Sequence, residues 1–206
     1  MRVISGRARG TKINTIESTS TRPTLDRVKE SLFNILQNKV IDATVLDLFA
    51  GSGALGIEAL SRGAKKAVFC DKNNEACKVI KDNLNKTHLA DDANVLNMEY
   101  ERCIERVSNY KFDLIFIDPP YKLDMAIKAV KLIEKNDLLD NKGIIIIETD
   151  EVERDNKELD DLINENDNLM ITDRRKYGRA NLIFVSKRGW YYGNFYIIRY
   201  TWRFSW

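Results

Sequence analysis

The fold of this chain is decided by residues 45–63, which read VLDLFAGSGALGIEALSRG. A short apolar run predicts a buried strand, a turn follows at Gly51 and Gly53, and a helical pattern begins after the turn. From Gly51 to Gly56 the residues spell G-x-G-x-x-G, in which glycines let the backbone approach a ligand at a helix N-terminus. The stretch therefore predicts the first strand–turn–helix unit of a cofactor-binding sheet.

The alternation of strand and helix continues along the chain. Candidate strands are the apolar runs at residues 44–49, 67–70, 94–96, 112–117, 143–148 and 181–185. Candidate helices lie at about residues 54–62, 74–86, 100–107, 124–135 and 155–165. Continuous apolar strands indicate a sheet covered by helices on both faces. The predicted fold class is α/β, with a doubly wound, mostly parallel, Rossmann-like sheet.

An extension precedes this core. Residues 1–16, with Gly6 and Gly10, predict a short basic hairpin, and Pro23 and Thr24 open a helix. Apolar residues follow at helical spacing, at Leu25, Val28, Leu32, Ile35 and Leu36. We expect one domain over residues 1–187, made of an extension (1–40) and a core (41–187).

The tail, residues 188–206, has no predicted role. Nine of the 17 residues from Trp190 onward are aromatic, a composition that does not continue the pattern of the core. An extra strand or ordered extension, a reading-frame artefact and a surface that stacks on nucleic-acid bases all fit this composition. The stacking surface ranks last, because aromatic-rich segments are more often packed than functional.

Charge and cysteine content limit the class of protein. Lys and Arg number 33 against 31 Asp and Glu, but residues 174–203 carry eight basic residues and no acid. Either a polyanionic partner or a scatter of solvated charge fits this distribution. With three cysteines, no C-x-x-C and one histidine, we expect no metal site and reduced thiols. No signal peptide or membrane span is visible, so we expect a cytoplasmic protein.

Two acidic residues bear on the cofactor. Asp71 ends the next strand and could hold ribose hydroxyls, which suits both NAD and S-adenosylmethionine. Asp47 precedes the glycine turn by four residues, and a carboxylate there fits badly beside a pyrophosphate. It suits the ammonium group of S-adenosylmethionine, which carries no phosphate. The pairing of Asp47 with the glycine turn therefore favours S-adenosylmethionine.

A second motif lies in residues 114–122, LIFIDPPYK. An exocyclic amine of guanine or adenine is a poor nucleophile, so an enzyme must hold it by its hydrogens and aim its lone pair. Asp118 offers a carboxylate and Pro119 a carbonyl, and the proline pair keeps both rigid. Tyr121 can stack on the base. The motif predicts methyl transfer to a base amine.

With these motifs in place, the chain resembles the class I S-adenosylmethionine methyltransferases, and most closely the bacterial RsmD-type enzymes that methylate guanine N2 in 16S ribosomal RNA. The resemblance is carried in order by the segments RVISGRARGTKI, TRPTLDRVKESLFNIL, LDLFAGSGALGIEALSRGA, FIDPPY and RKYGRANLIFV. Asp71 stands where the family commonly has a glutamate, which also binds a ribose diol.

The resemblance implies roles for individual residues. Catalysis would involve Asp118, Pro119 and Tyr121. The cofactor site would be lined by Asp47, Phe49, Gly51, Gly53, Asp71, Lys72, Met98 and Glu99. RNA would be contacted by Arg7, Arg9, Lys12, Arg22, Thr24, Arg27, Tyr177 and Arg179, although packing at a strand edge explains Tyr177 and Arg179 equally well. The partner would be 16S rRNA, within the small ribosomal subunit or an assembly intermediate, and we expect a monomer.

Three other functions are alternatives for this sequence. A DNA adenine-N6 methyltransferase shares the D-P-P-Y motif but usually carries a separate recognition domain. An NAD-dependent oxidoreductase shares the glycine turn but has no use for D-P-P-Y. A non-catalytic RNA-binding assembly factor would need neither motif. The motifs together favour the methyltransferase.

Overall fold

The computed structural model describes residues 1–16, 23–119, 123–149 and 153–189, with side chains described for all of these except 23–25, 123 and 153–156. Its seven strands are β1 (Thr44–Asp47), β2 (Lys66–Asp71), β3 (Ala93–Asn97), β4 (Phe112–Ile117), β5 (Leu139–Thr149), β6 (Leu169–Tyr177) and β7 (Ala180–Lys187). They form one sheet in the order β3-β2-β1-β4-β5-β7-β6. β1 to β5 pair in parallel, and β7 runs antiparallel to both neighbours. The predicted mostly parallel sheet is confirmed.

Six α-helices accompany the sheet: α1 (Pro23–Leu36), α2 (Ala54–Ser61), α3 (Asn74–Thr87), α4 (Tyr100–Arg106), α5 (Leu123–Lys135) and α6 (Glu153–Asn164). The predicted helices within the core match them to within two residues at each end. Across the described part of the chain, no helix is both long and apolar enough to span a membrane.

The helices cover both faces of the sheet, as the continuous apolar strands predict. Side chains of α1, α2, α3 and the N-terminal segment pack on one face. Those of α4, α5 and α6 pack on the other. Alternate strand residues serve the two cores, so that Ile144 faces the first and Ile145 the second. The arrangement is doubly wound.

β6 was not predicted from the sequence, because most of its residues are polar. Only the first three residues of this strand are apolar, and residues 172–176 read TDRRK. β6 lies at the edge of the sheet and pairs with β7 alone. An edge strand does not need the buried apolar run by which the other strands were recognised. β5 also begins at Leu139, four residues earlier than predicted. The start of this strand could not be recognised from an apolar run, because residues 140–142 are polar.

The N-terminal segment, residues 1–16, is tied to α2 by a buried acid. An antiparallel bridge pairs Arg2 with Lys12, as the predicted hairpin requires. Glu58 is fully buried and accepts hydrogen bonds from the backbone N–H of Ile4 (2.8 Å) and Ser5 (3.0 Å).

Two cations complete the shell of Glu58. Lys29 of α1 lies 3.1 Å from one carboxylate oxygen, and Arg62 donates to the other at 2.7 Å. Lys29 is itself buried and also donates to the carbonyl of Arg2 at 2.7 Å. The carboxylate of Glu58 therefore joins the N-terminal segment, α1 and α2.

Removal of this carboxylate should be severe. We expect Glu58→Ala to lower the free energy of unfolding by about 3–5 kcal/mol, because it strands the buried ammonium of Lys29 and two backbone donors. Asp92→Ala is the matched control: it breaks the exposed Arg7–Asp92 pair of the same segment and should cost about 1 kcal/mol or less. Denaturant unfolding measures both variants. Equal losses in the two would contradict the assignment.

Candidate active site

Three carboxylates predicted from the sequence meet at one edge of the sheet. Asp47 ends β1, Asp71 ends β2, and Asp118 directly follows β4. The parallel register pairs Asp47 with Phe69 and with Phe116, so Asp71 and Asp118 each lie two residues beyond its level on the flanking strands. Strand order reverses between β1 and β4, which is where open α/β sheets bind ligands.

Asp47 is the buried member of this group, with 3% of its surface exposed. Its Oδ2 accepts a hydrogen bond of 3.0 Å from the backbone N–H of Gly56 in α2. The pKa of Asp47 is raised to about 7, chiefly by burial; the hydrogen bond from Gly56 lowers it, and the negative charges of Asp118 and Asp71 add to the rise. A cation beside this carboxyl would stabilise its charged form, because it would offset both the cost of burying the charge and the repulsion from Asp71 and Asp118.

The three glycines of the G-x-G-x-x-G motif differ in their surroundings. Gly51 (φ 54°) and Gly53 (φ 79°) adopt left-handed backbone conformations, which favour glycine. A Cβ on Gly51 would meet nothing within 4 Å, so the backbone there is open to a ligand. A Cβ on Gly56 would lie 2.3 Å from the ring of Phe69. Gly56 therefore serves the close contact of helix and strand, whereas Gly51 borders open space.

Backbone donors are available at the start of α2. Among the described residues, the N–H groups of Ser52, Ala54 and Leu55 donate to no protein acceptor. In this turn of the helix, Asp47 accepts a hydrogen bond from the N–H of Gly56. The helix dipole adds partial positive charge at the same place. Such a site binds an anionic group such as a carboxylate.

Asp71 shapes the glycine turn and remains able to accept more. Its Oδ2 accepts from the N–H of Gly51 at 2.9 Å and its Oδ1 from the N–H of Asn73 at 2.8 Å. Each carboxylate oxygen has a second lone pair for a further donor. The amide of Asn97 donates to the carbonyls of Asp71 (3.0 Å) and Lys72 (3.1 Å) and so joins the ends of β3 and β2. The half-buried Asp71 is suited to a diol.

The remaining residues predicted for the cofactor lie close by. The N–H of Met98 donates to the last carbonyl of β2 at 3.1 Å. Lys72 and Glu99 form an exposed ion pair of 3.7 Å just beyond the ends of β2 and β3. The ring of Phe49 packs against Tyr100, with centroids 5.1 Å apart. All eight predicted cofactor residues therefore belong to the ends of β1, β2 and β3 or the loops that follow them.

The predicted catalytic residues Asp118 and Pro119 follow β4 without an intervening loop. Asp118 is exposed and Pro119 half-buried. The carbonyl of Phe116 accepts from the N–H of Leu48 at 3.1 Å, which fixes the end of β4 to β1. Tyr121 lies outside the described residues, so its predicted role stays a prediction. Within the described ranges, no group of three or more His, Cys, Asp or Glu could hold a metal ion.

The residues predicted to contact RNA lie at both edges of the sheet. Arg7 pairs with Asp92, just before β3, and its N–H donates to Ser61 at the end of α2. That is the edge where the parallel strands begin, opposite the three carboxylates. Tyr177 is the last residue of β6, and Arg179 lies in the turn between β6 and β7.

Pairing fixes the position of that turn. Asn181 pairs with Thr149, the last residue of β5, so the turn lies at the carboxylate edge. Arg9, Lys12 and Arg27 are exposed. Arg22 and the side chain of Thr24 lie outside the description.

The sequence analysis missed one buried polar residue beside the glycine turn. Asn83 lies on the apolar face of α3, at helical spacing from Ala76, Ile80 and Leu84, and is fully buried. An amide at a position where the pattern requires an apolar side chain was the available signal.

Comparison with known proteins identifies the family of the chain. The family model for conserved hypothetical protein 95 matches residues 1–186. "Putative rRNA methyltransferase YlbH" of Bacillus subtilis is 38% identical over 191 residues, covering 92% of this chain and 100% of that protein. "Ribosomal RNA small subunit methyltransferase D" of Haemophilus influenzae is 38% identical, covering 73% of this chain and 79% of that protein.

Solved structures agree with the sequence relatives. "Putative methyltransferase yhhF from Escherichia coli" superposes with a TM-score of 0.74 at 28% identity, covering 91% of this chain and 97% of that one. The chain therefore belongs to the conserved hypothetical protein 95 family of RsmD-type methyltransferases, as its motifs predict.

Proposed function

We propose that this protein transfers a methyl group from S-adenosylmethionine to the N2 amine of a guanine in 16S rRNA of the small ribosomal subunit. The observation that carries the proposal is the buried carboxyl of Asp47 beside an open glycine turn, one strand away from Asp118 and Pro119. The relatives named for small-subunit rRNA methylation support the substrate.

The donor set fits each end of S-adenosylmethionine. Asp47 would hold the ammonium group, and the N–H groups of Ser52, Ala54 and Leu55 would hold the carboxylate. Asp71 would accept from the ribose hydroxyls. A dinucleotide fits poorly, because its pyrophosphate would bring negative charge to an edge that already carries three acids.

The corner after β4 would orient the base. Bound S-adenosylmethionine supplies a methyl group already activated by its sulfonium. The carboxylate of Asp118 and the carbonyl of Pro119 would accept the two hydrogens of the amine, which aims its lone pair. Pro119 has a fixed φ, so these acceptors lose little freedom when the base arrives. The reaction would break the S–CH₃ bond and form the N–CH₃ bond, leaving S-adenosylhomocysteine, and the carboxylate of Asp118 would accept the proton that the amine loses.

Methyl-labelled S-adenosylmethionine tests the proposal. Small subunits lacking the modification, naked rRNA and DNA are each offered, and the product is digested to nucleosides. We expect label in N2-methylguanosine from rRNA. Label in N6-methyladenine from DNA would agree with the proposed roles of Asp118 and Pro119 but would contradict the proposed rRNA substrate. Cofactor binding without label in any substrate would contradict the catalytic assignment.

Asp118 should separate chemistry from cofactor binding. We expect Asp118→Ala to reduce methyl transfer by at least about 100-fold, because the amine loses its charged acceptor. Calorimetry should find the affinity for S-adenosylhomocysteine little changed. Asp124→Ala removes an exposed carboxylate from the start of α5 and is the control. Transfer at the wild-type rate by Asp118→Ala would make the corner structural.

Asp47 should make cofactor affinity depend on pH. Free protein holds this carboxyl protonated below about pH 7, whereas the ammonium of S-adenosylhomocysteine favours the carboxylate. Binding at lower pH must therefore release a proton. Affinity should rise by at most about tenfold per pH unit as the pH approaches 7 from below, and level off above about pH 7. Calorimetry on Asp47→Asn should give weaker binding without this dependence; an unchanged profile would remove Asp47 from the site.

Salt dependence should locate the RNA interface. Replacement of Arg7, Arg9 and Lys12 by alanine should weaken RNA binding and flatten the slope of log affinity against log salt by about 2, because fewer counterions are released. The matched variant replaces the exposed residues Arg174, Arg175 and Lys176 of β6. A slope changed only by the β6 variant would move the interface away from the N-terminal segment.

A further inference from the structure

A buried amide connects the N-terminal segment to the glycine turn. Asn83 of α3 has no exposed surface. Its Nδ2 donates to the carbonyl of Ser52 at 2.9 Å and to the carbonyl of Asn14 at 3.0 Å. Its Oδ1 accepts from the N–H of Asn14 at 2.7 Å. One side chain thus holds the backbone of two irregular segments.

The contact with Ser52 fixes a peptide inside the glycine turn. The carbonyl of the Ser52–Gly53 peptide accepts from Asn83, and the N–H of the same peptide donates to the carbonyl of Ala50 at 2.6 Å. The peptide is held at both polar groups, so its plane cannot rotate without breaking a bond. Its plane sets the direction of the neighbouring N–H groups of Ser52 and Ala54, which have no protein acceptor among the described residues.

Packing alone would not select asparagine at this position. The neighbouring residues on the same face of α3 are Ile80 and Leu84, and a leucine would bury apolar surface without an amide to satisfy. Thr87 on the same helix provides a contrast. Its buried hydroxyl donates only to carbonyls of its own helix, those of Asn83 and Leu84. Among the described residues, the side-chain hydrogen bonds of Asn83 instead all leave the helix.

We propose that Asn83 is a positioning residue for the amino acid end of the cofactor, and that through Asn14 the N-terminal segment forms part of the cofactor site. The inference rests on the proposed use of S-adenosylmethionine. Asn83 touches no ligand; it acts by directing the N–H groups that would receive the cofactor's carboxylate. The adenosine end is bound elsewhere, by Asp71 and the ends of β2 and β3.

A pair of ligands separates this role from a general structural one. S-adenosylhomocysteine carries both ends, whereas methylthioadenosine lacks the amino acid end. Calorimetry is performed with both ligands on the wild-type protein, Asn83→Leu and the control Thr87→Val. Asn83→Asp is the second variant, in case the leucine variant does not fold: it retains the oxygen that accepts from the N–H of Asn14 and replaces the nitrogen that donates to the carbonyls of Ser52 and Asn14.

We expect the Asn83 variants to bind S-adenosylhomocysteine about tenfold more weakly, since a buried hydrogen bond to the turn is lost. Methylthioadenosine affinity should change little, and Thr87→Val should bind both ligands as the wild type does. Equal weakening of both ligands, or unchanged affinity for S-adenosylhomocysteine, would overturn the positioning role while leaving the proposed function intact. A wild-type protein that binds neither ligand would overturn both.

Discussion

The hydrogen bond from the Gly56 N–H to the buried carboxyl of Asp47 is the contact on which the site depends. It fixes the start of α2 to the end of β1, so the glycine turn between them has a single shape. It also takes one of the first donors of α2 and leaves others for a ligand. Burial raises the pKa of Asp47 to about 7, so the folded protein holds a carboxyl that a cation would favour. The structural contact and the proposed binding of the cofactor's ammonium group therefore involve the same side chain.

The N-terminal segment is anchored to α2 and α3, the two helices beside the glycine turn. Glu58 of α2 receives its backbone at Ile4 and Ser5, and Asn83 of α3 receives it at Asn14. Both anchors lie on helices that pack on the same face of the sheet. A segment held at both ends by buried polar groups cannot move freely relative to the turn. A ligand bound by the exposed basic residues of the segment would therefore be held in a fixed position relative to the glycine turn.

Much of this arrangement could be predicted because it follows from local pattern. Asp47, Asp71 and Asp118 lie together because parallel strands end at one edge, and short apolar runs identify those strands. β6 could not be recognised, because an edge strand tolerates charged residues. Glu58 and Asn83 act across 54 and 69 residues of sequence, and no local pattern encodes such a partner. The packing role of Gly56 against Phe69 likewise required the three-dimensional structure.

We propose that the carboxyl of Asp47 binds the cofactor's ammonium group. The most direct measurement is a carbon-13 NMR titration of the Asp47 carboxyl, assigned by comparison with Asp47→Asn, with and without S-adenosylhomocysteine. The account predicts a midpoint of about 7 in the free protein and a clearly lower one in the complex. A midpoint near the ordinary aspartate value of about 4 in the free protein, or the same midpoint in both states, would contradict it.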